Sequence, residues 1–470
     1  MKQGKKSIFA LFAAGAMLVA ACGDDEESSD TTTVETTAEA TEDTTGDTTG
    51  DTTAETTPGE TTPATDPSAE AWAVDTSMCV DPDLADAPIE GTLKIGSVFP
   101  LTGGVAASAF APIAAGLKAY IDYANEKGLL GDLELDLQLA DDQYNAELTS
   151  GAVASLMEAD VDMFTAIVGT PSNLAVRDTL NDNCYPQLLA LTGSPDWAEP
   201  VDYPWTTGAL TSYTVESKIY AGNIAEQFPD GAKVALFHVN NEFGQVFVDA
   251  FNELADDYGI DIVADQTIEA IDQTPPTAQL TNIAAEAPDA IMAAPLGAQC
   301  ISFLTELANA KAVNAGWDPK VYISSTCALG LILDVTGPAA DGLYTSANGY
   351  DFGDPANQEM PQIAEFFDVM EARGESELAI SAAAGWWAGE ITVAIIKQAM
   401  NSPEGLTRAS IINAARNFEY VSNYALPGVV FRMNGEADAY MAESLIVRQW
   451  HADTKTFTDV GELVTQYETL

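Results

Sequence analysis

The sequence predicts an α/β fold of two doubly wound lobes, each built on a mainly parallel sheet. Two observations carry this. Strand-like and helix-like periodicities alternate in two successive series, and about 400 of the 470 residues follow an acidic low-complexity start. That length exceeds what one hydrophobic core usually organises, so two are expected. Alternating strands and helices imply a parallel sheet covered on both faces, with ligands beyond the carboxyl ends of the strands.

The chain opens with an address. Lys2, Lys5 and Lys6 precede an uncharged, mostly apolar run, Ile8 to Ala21, that suits a signal-peptide core better than a bilayer span. The run ends Ala20-Ala21-Cys22, which resembles a lipobox. The resemblance implies a signal peptide at 1–21 and lipidation of Cys22, with the protein exported and held by lipid on the outer face of the cell membrane. The alternative is an ordinary signal peptide with an incidental Cys. Residues 22–70 are rich in Thr and acidic residues and lack aromatics, Lys and Arg. Such a stretch cannot bury enough apolar surface to fold and reads as a tether reaching roughly 40 Å. Residues 71–90 lead into the folded part, after which no run reads as a membrane helix.

With 18 basic against 72 acidic residues, the formal net charge is -54. This argues against nucleic acid and anionic lipid surfaces as partners. Beyond Cys22 stand four cysteines, Cys79, Cys184, Cys300 and Cys327, an even number in an exported chain. Two disulfides are expected, with three pairings open. No CxxC spacing suggests zinc.

The first series holds strands at 92–99, 133–139, 163–168 and 187–191, with helices at 112–126 and 146–158. Ile113, Leu117, Ile121 and Ala124 mark a helix face, and Leu133, Leu135, Leu137 and Leu139 alternate as a strand. The second series holds strands at 233–239, 260–264, 290–294 and 320–324, between helices at 214–227, 245–258, 278–285 and 298–310. Helices at 361–372, 379–400 and 408–417 follow, then strands at 428–431 and 444–449.

Several segments resemble the branched-chain-amino-acid-binding family of type I periplasmic binding proteins. They are Ile95-Gly-Ser-Val-Phe-Pro-Leu-Thr-Gly103, Asp141-Asp142, Ile167-Val-Gly-Thr-Pro-Ser-Asn173, Asn241-Glu-Phe-Gly244 and Phe431-Arg-Met-Asn-Gly435. The resemblance spans nearly all of 91–470. It implies two lobes joined by a three-strand hinge, the first of residues 91–210 and 343–428, the second of 211–342 and 429–470. It further implies a monomer that closes on a small polar solute, such as an amino acid or amide, and delivers it to an ABC permease with a cytoplasmic ATPase. No cofactor or metal is implied. A sensory lipoprotein of the same fold, or an anchored hydrolase, remains the alternative.

The resemblance also implies a site. In the first lobe Ser172, Asn173, Leu191, Thr192 and Gly193 would hold a ligand carboxylate; helix N-capping is the alternative for Ser172 and Asn173. In the second lobe Phe243, Leu296 and Thr326 would complete the site, with Phe110 as an aromatic anchor. Similar proteins hold a ligand ammonium with an acidic residue after a late strand. Here Ser324 to Ala328 offers none, leaving Glu242 as a substitute. Of Trp386 and Trp387, adjacent on a helix, one belongs to the core and the other is a candidate for the cleft; Trp205 is a loop candidate. In the implied fold Cys79 pairs with Cys184 and Cys300 with Cys327. His238 and His451 are the only histidines and neither joins a recognisable nucleophile motif, so no enzyme is expected.

Overall fold

The computed structural model describes residues 71–467 except 329. The signal peptide, Cys22 and the tether lie outside the described residues. A short helix α1 (Pro82–Ala85) precedes the first sheet, whose strands are β1 (Thr92–Phe99), β2 (Glu134–Asp141), β3 (Met163–Thr165), β4 (Gln187–Ala190) and β5 (Thr206–Gly208). All pairings are parallel, in the order β2-β1-β3-β4-β5. Ile95 stands between Leu137 and Met163, so the strand order reverses beside β1. The helices between these strands are α2 (Ala107–Lys127), α3 (Ala146–Glu158) and α4 (Thr170–Asp182).

The second sheet begins after α5 (Tyr213–Gln227). It contains β6 (Ala232–Val239), β7 (Ile260–Ile268), β8 (Ala290–Ala294), β9 (Lys320–Ile323) and β10 (Tyr344–Ala347). Between them run α6 (Glu242–Tyr258), α7 (Thr277–Glu286), α8 (Ala298–Val313) and α9 (Gly330–Thr336). The chain then passes through α10 (Pro355–Gln358), α11 (Pro361–Ala372), α12 (Ala379–Ala399) and α13 (Arg408–Arg416), and a ladder of β11 (Glu419–Tyr420) and β12 (Phe431–Arg432). It returns as β13 (Leu445–His451), antiparallel to β10, and β14 (Thr456–Val464), antiparallel to β13, which extend the second sheet. The final order is β14-β13-β10-β9-β8-β6-β7.

Sheet membership moves the expected lobe boundaries. Tyr344–Ala347 pairs with β9 and β13, so the crossing back to the first sheet's side follows residue 347 rather than 343. Phe431, Met433, Met441 and Ala442 pack in the core of the first sheet, so the last crossing comes near residue 443 rather than 429. The crossing segment after β10 is braced by the first-lobe loop before β12: Tyr350 N–H donates to Tyr424 O at 2.9 Å and Leu426 N–H to Asn348 O at 2.9 Å.

Two further expectations change. Helix α2 begins a turn before Pro112, at Ala107, with Pro112 inside it. Of that extra turn, Ala109 is buried in a core cluster of the second lobe with Phe237 and Ile291. Residues 376–399 are also long and apolar enough to cross a membrane, with mean hydropathy 1.4, yet 72% of that window is buried in the protein. Glycine explains how: a Cβ on Gly116 would fall 1.9 Å from Ala382 O, and one on Gly385 1.8 Å from Ile113 O. The backbones of α2 and α12 therefore touch. Both disulfides form as expected, Cys79–Cys184 and Cys300–Cys327.

Candidate ligand cavity between the lobes

A cavity of about 330 Å³ lies where the carboxyl ends of both sheets meet. The first lobe contributes Gly169, Thr170, Leu189 and Leu191 beyond β3 and β4, Phe110 and Ile113 from α2, and Trp387 and Ile391 from α12. The second contributes Glu216, Phe243, Leu296 and the Ser325–Thr326 turn, and the hinge adds Thr345 to Phe352. The lining is predominantly apolar, with a polar group around Glu216.

Of the nine residues assigned to the site from the sequence, five line this cavity: Phe110, Leu191, Phe243, Leu296 and Thr326. Four do not. Ser172 and Asn173 are fully buried, and their side chains are committed to the protein. Ser172 Oγ donates to Asp142 Oδ2 at 3.0 Å. Asn173 Nδ2 donates to Ile167 O at 2.7 Å and Gly169 O at 2.8 Å, while its Oδ1 accepts from Gln187 Nε2 at 2.7 Å. The reason is register. Helix α4 starts at Thr170 after Gly169, whose φ of 96° suits glycine, so Thr170 meets the cavity. At about 100° per residue, Ser172 falls on the side of α4 away from Thr170, whereas Asn173, near the Thr170 face, is held off the cavity by the hydrogen bonds to Ile167, Gly169 and Gln187.

Thr192 acts one step back. Its hydroxyl shares a 2.7 Å hydrogen bond with that of Thr170 and accepts from Ser194 N–H at 3.1 Å, fixing the Thr170 rotamer. Gly193 lets the first crossing segment approach: a Cβ there would lie 2.4 Å from Thr211 O and 2.7 Å from the Tyr213 ring. Glu242 is exposed and off the cavity. Trp205 is core; Trp386 is also core and donates to Tyr424 Oη at 2.7 Å, whereas Trp387 faces the cavity beside Phe431. His238 sits between Val239 O and Asp265, each at 3.0 Å, and His451 meets Thr458 at 2.8 Å; neither lines the cavity.

The cavity's carboxylate is one the sequence reading missed. Glu216, in the first turn of α5, has Oε1 accepting from Tyr220 Oη at 2.7 Å, Ser325 N–H at 2.8 Å and Ser346 Oγ at 3.0 Å. Burial raises its pKa, and these donors only partly oppose that. Asp351, also lining the cavity, is raised by burial against the pull of Gly353 N–H and Arg448. Arg448 pairs with Asp459 at 2.8 Å and donates to Gly349 O at 3.1 Å. Among the described residues, Thr211 Oγ1, Thr345 Oγ1 and Trp387 Nε1, all on lining residues, are buried without a partner. Buried polar atoms are rarely left so in a complete structure.

The lobes also touch at the rim. Ala298 N–H donates to Val105 O at 3.0 Å, joining the turn after β1 to the loop after β8. Gly297 has a φ of 52° there, and a Cβ on it would meet Val105 O at 2.3 Å. Phe110 stacks on Tyr144 with ring centroids 6.1 Å apart.

The periplasmic binding protein family model matches residues 92–455. None of the curated proteins matches the chain. Among solved structures, a branched chain amino acid ABC transporter from Thermus thermophilus with bound valine is similar, at 20% identity and TM-score 0.70, over 80% of this chain and 96% of that one. A fatty acid ABC transporter substrate-binding protein from Thermomonospora curvata is 15% identical, with TM-score 0.66 over 80% and 93%. An ABC transporter solute binding protein from R. palustris in complex with benzoate is 18% identical, with TM-score 0.65 over 79% and 96%. The two wound sheets thus have the type I architecture, and the chain belongs to the periplasmic binding protein family.

Proposed function

We propose that the chain is the extracytoplasmic solute-binding lipoprotein of an ABC importer, anchored through Cys22 and working as a monomer. It captures a small solute between its lobes and presents the closed form to a permease driven by a cytoplasmic ATPase. The observation that carries this reading is the cavity at the carboxyl ends of both sheets, walled by both lobes and the hinge. Family membership and the ABC-transporter proteins of similar fold support it.

The lining favours a more apolar solute than the small polar one expected from sequence. Isoleucine, phenylalanine and tryptophan side chains suit an apolar body, and the group around Glu216 suits one hydrogen-bonding head. First-lobe loops would hold the solute in the open form, and Phe243 and Leu296 would add burial on closure. Such differential contact is what lets a ligand shift the open–closed balance. Both histidines serve structural contacts, and the proposed role is binding without bond making or breaking. Mass spectrometry of compounds released from gently purified protein, followed by calorimetric rebinding, tests the reading. One compound rebinding with unit stoichiometry is expected; chemical turnover of that compound would overturn it.

A further inference from the structure

Glu216 differs from the other deeply buried carboxylates. Asp142 is satisfied by Thr149, Ser172 and Tyr144 N–H, and Glu390 by Tyr420, Ser422 and Asn423; neither lines the cavity. Glu216 does line it, is 1% exposed, and has no Lys, Arg or His partner among the described residues. The same lining includes the buried Thr211, whose hydroxyl has no protein partner. Arg448 is the one cationic side chain of the described lining, and Asp459 already neutralises it. With Asp351 as a second carboxylate, the described wall carries excess negative charge.

We propose that the ligand is an amine, an ammonium group joined to an apolar body, and that Glu216 is the carboxylate that receives it. This rests on the solute-binding reading and names the class of solute. A buried carboxylate without a countercharge is costly, and pairing removes most of that cost. An ammonium brings three donors, of which Glu216 can accept and which hydroxyls of the lining can share. The rings of Trp387, Phe431 and Phe110 offer faces that attract a cation's substituents as well as apolar groups. A ligand carboxylate would instead meet Glu216 and Asp351, and the one guanidinium of the described lining is already paired with Asp459. An accompanying carboxylate is not required.

A proton signature follows. Tyr213 and Tyr220 face Glu216 from α5, and Arg448 and Asp351 share its cavity; the turn after β9 and strand β10 present hydroxyls there. Burial lifts Glu216 above the ordinary carboxyl range, and an ammonium beside it would pull it back down. Affinity for ammonium ligands therefore rises with pH through that titration, and binding releases a proton.

The test uses the full-length chain and matched probes: 2-phenylethylammonium against 3-phenylpropionate, and octylammonium against octanoate. An ammonium probe is expected to bind, with its carboxylate counterpart at least about tenfold weaker. Calorimetry in buffers of different ionisation enthalpy should show proton release through the titration of Glu216. Glu216→Gln should weaken the ammonium probe by roughly 30-fold or more and spare the carboxylate. Should that variant not fold, the ammonium–carboxylate comparison on the native protein decides. The amine assignment is overturned if no ammonium probe binds or if the carboxylates bind equally well. A carboxylate that binds and compacts the protein would remove the amine alone and leave the solute-binding reading standing.

Discussion

Gly297 is where closure can be blocked by one methyl group. A Cβ there would sit 2.3 Å from Val105 O and 3.1 Å from Val105 C. Carbon and oxygen ordinarily come no closer than about 3.3 Å, so the rim must part by about 1 Å in a Gly297→Ala variant. Parting breaks the 3.0 Å bond from Ala298 N–H to Val105 O, worth about 0.5–1.5 kcal/mol. It also withdraws buried Val105 and Ala106 from the second lobe's core, adding about 1 kcal/mol. The sum, about 1.5–2.5 kcal/mol, is a loss of roughly 10- to 70-fold in affinity. Alanine at positive φ also costs stability, by roughly 1–3 kcal/mol, but in open and closed forms alike. Gly316→Ala separates the two effects: Gly316 has a φ of 90°, and a Cβ there would meet nothing within 4 Å. Calorimetry with the released ligand, alongside thermal melts, should show both variants losing stability and only Gly297→Ala losing affinity. Wild-type affinity in Gly297→Ala would refute the closing role of this contact.

Three other outcomes are expected. The Cys300–Cys327 bond ties the Leu296 loop to the Thr326 turn, both on the cavity, so a Cys300→Ser/Cys327→Ser variant should bind more weakly and lose about 3–4 kcal/mol of stability for a separation of 27 residues; unchanged binding by calorimetry argues against a site-shaping role. Gly385→Ala should force α2 and α12 apart and lower stability by several kcal/mol in denaturant titrations, because its methyl would lie 1.8 Å from Ile113 O. Cys22→Ser should release the protein from membranes or block processing, whereas normal cleavage with full membrane retention on fractionation would exclude the anchor.

The alternation of periodicities made the central strands of both lobes legible, because those strands are buried on both faces and read as continuous apolar runs. The strands that escaped notice were the short or polar ones. Thr206–Gly208 and Tyr344–Ala347 are too short for a period to register, and Thr456–Val464 is a half-exposed edge that owes its place to pairing with β13. The site was legible where loops follow strong strands, as at Leu191 and Leu296. Ser172 misled because the helix start was placed late; Pro171, favoured in a first turn, was the signal that put the start at Thr170. Glu216 carried no signal at all. An acidic residue in a first helical turn ordinarily faces solvent and suits the helix dipole. Only the packing of the turn after β9 and of β10 over α5 turns it into a buried group. That is tertiary information, absent from any local window.

The central claim is that a solute held between the lobes closes them. Small-angle scattering of the full-length chain, first stripped of ligand and then given back the compound it releases, measures this directly. A smaller radius of gyration on rebinding is the expected result. Tight rebinding with an unchanged radius of gyration would contradict it.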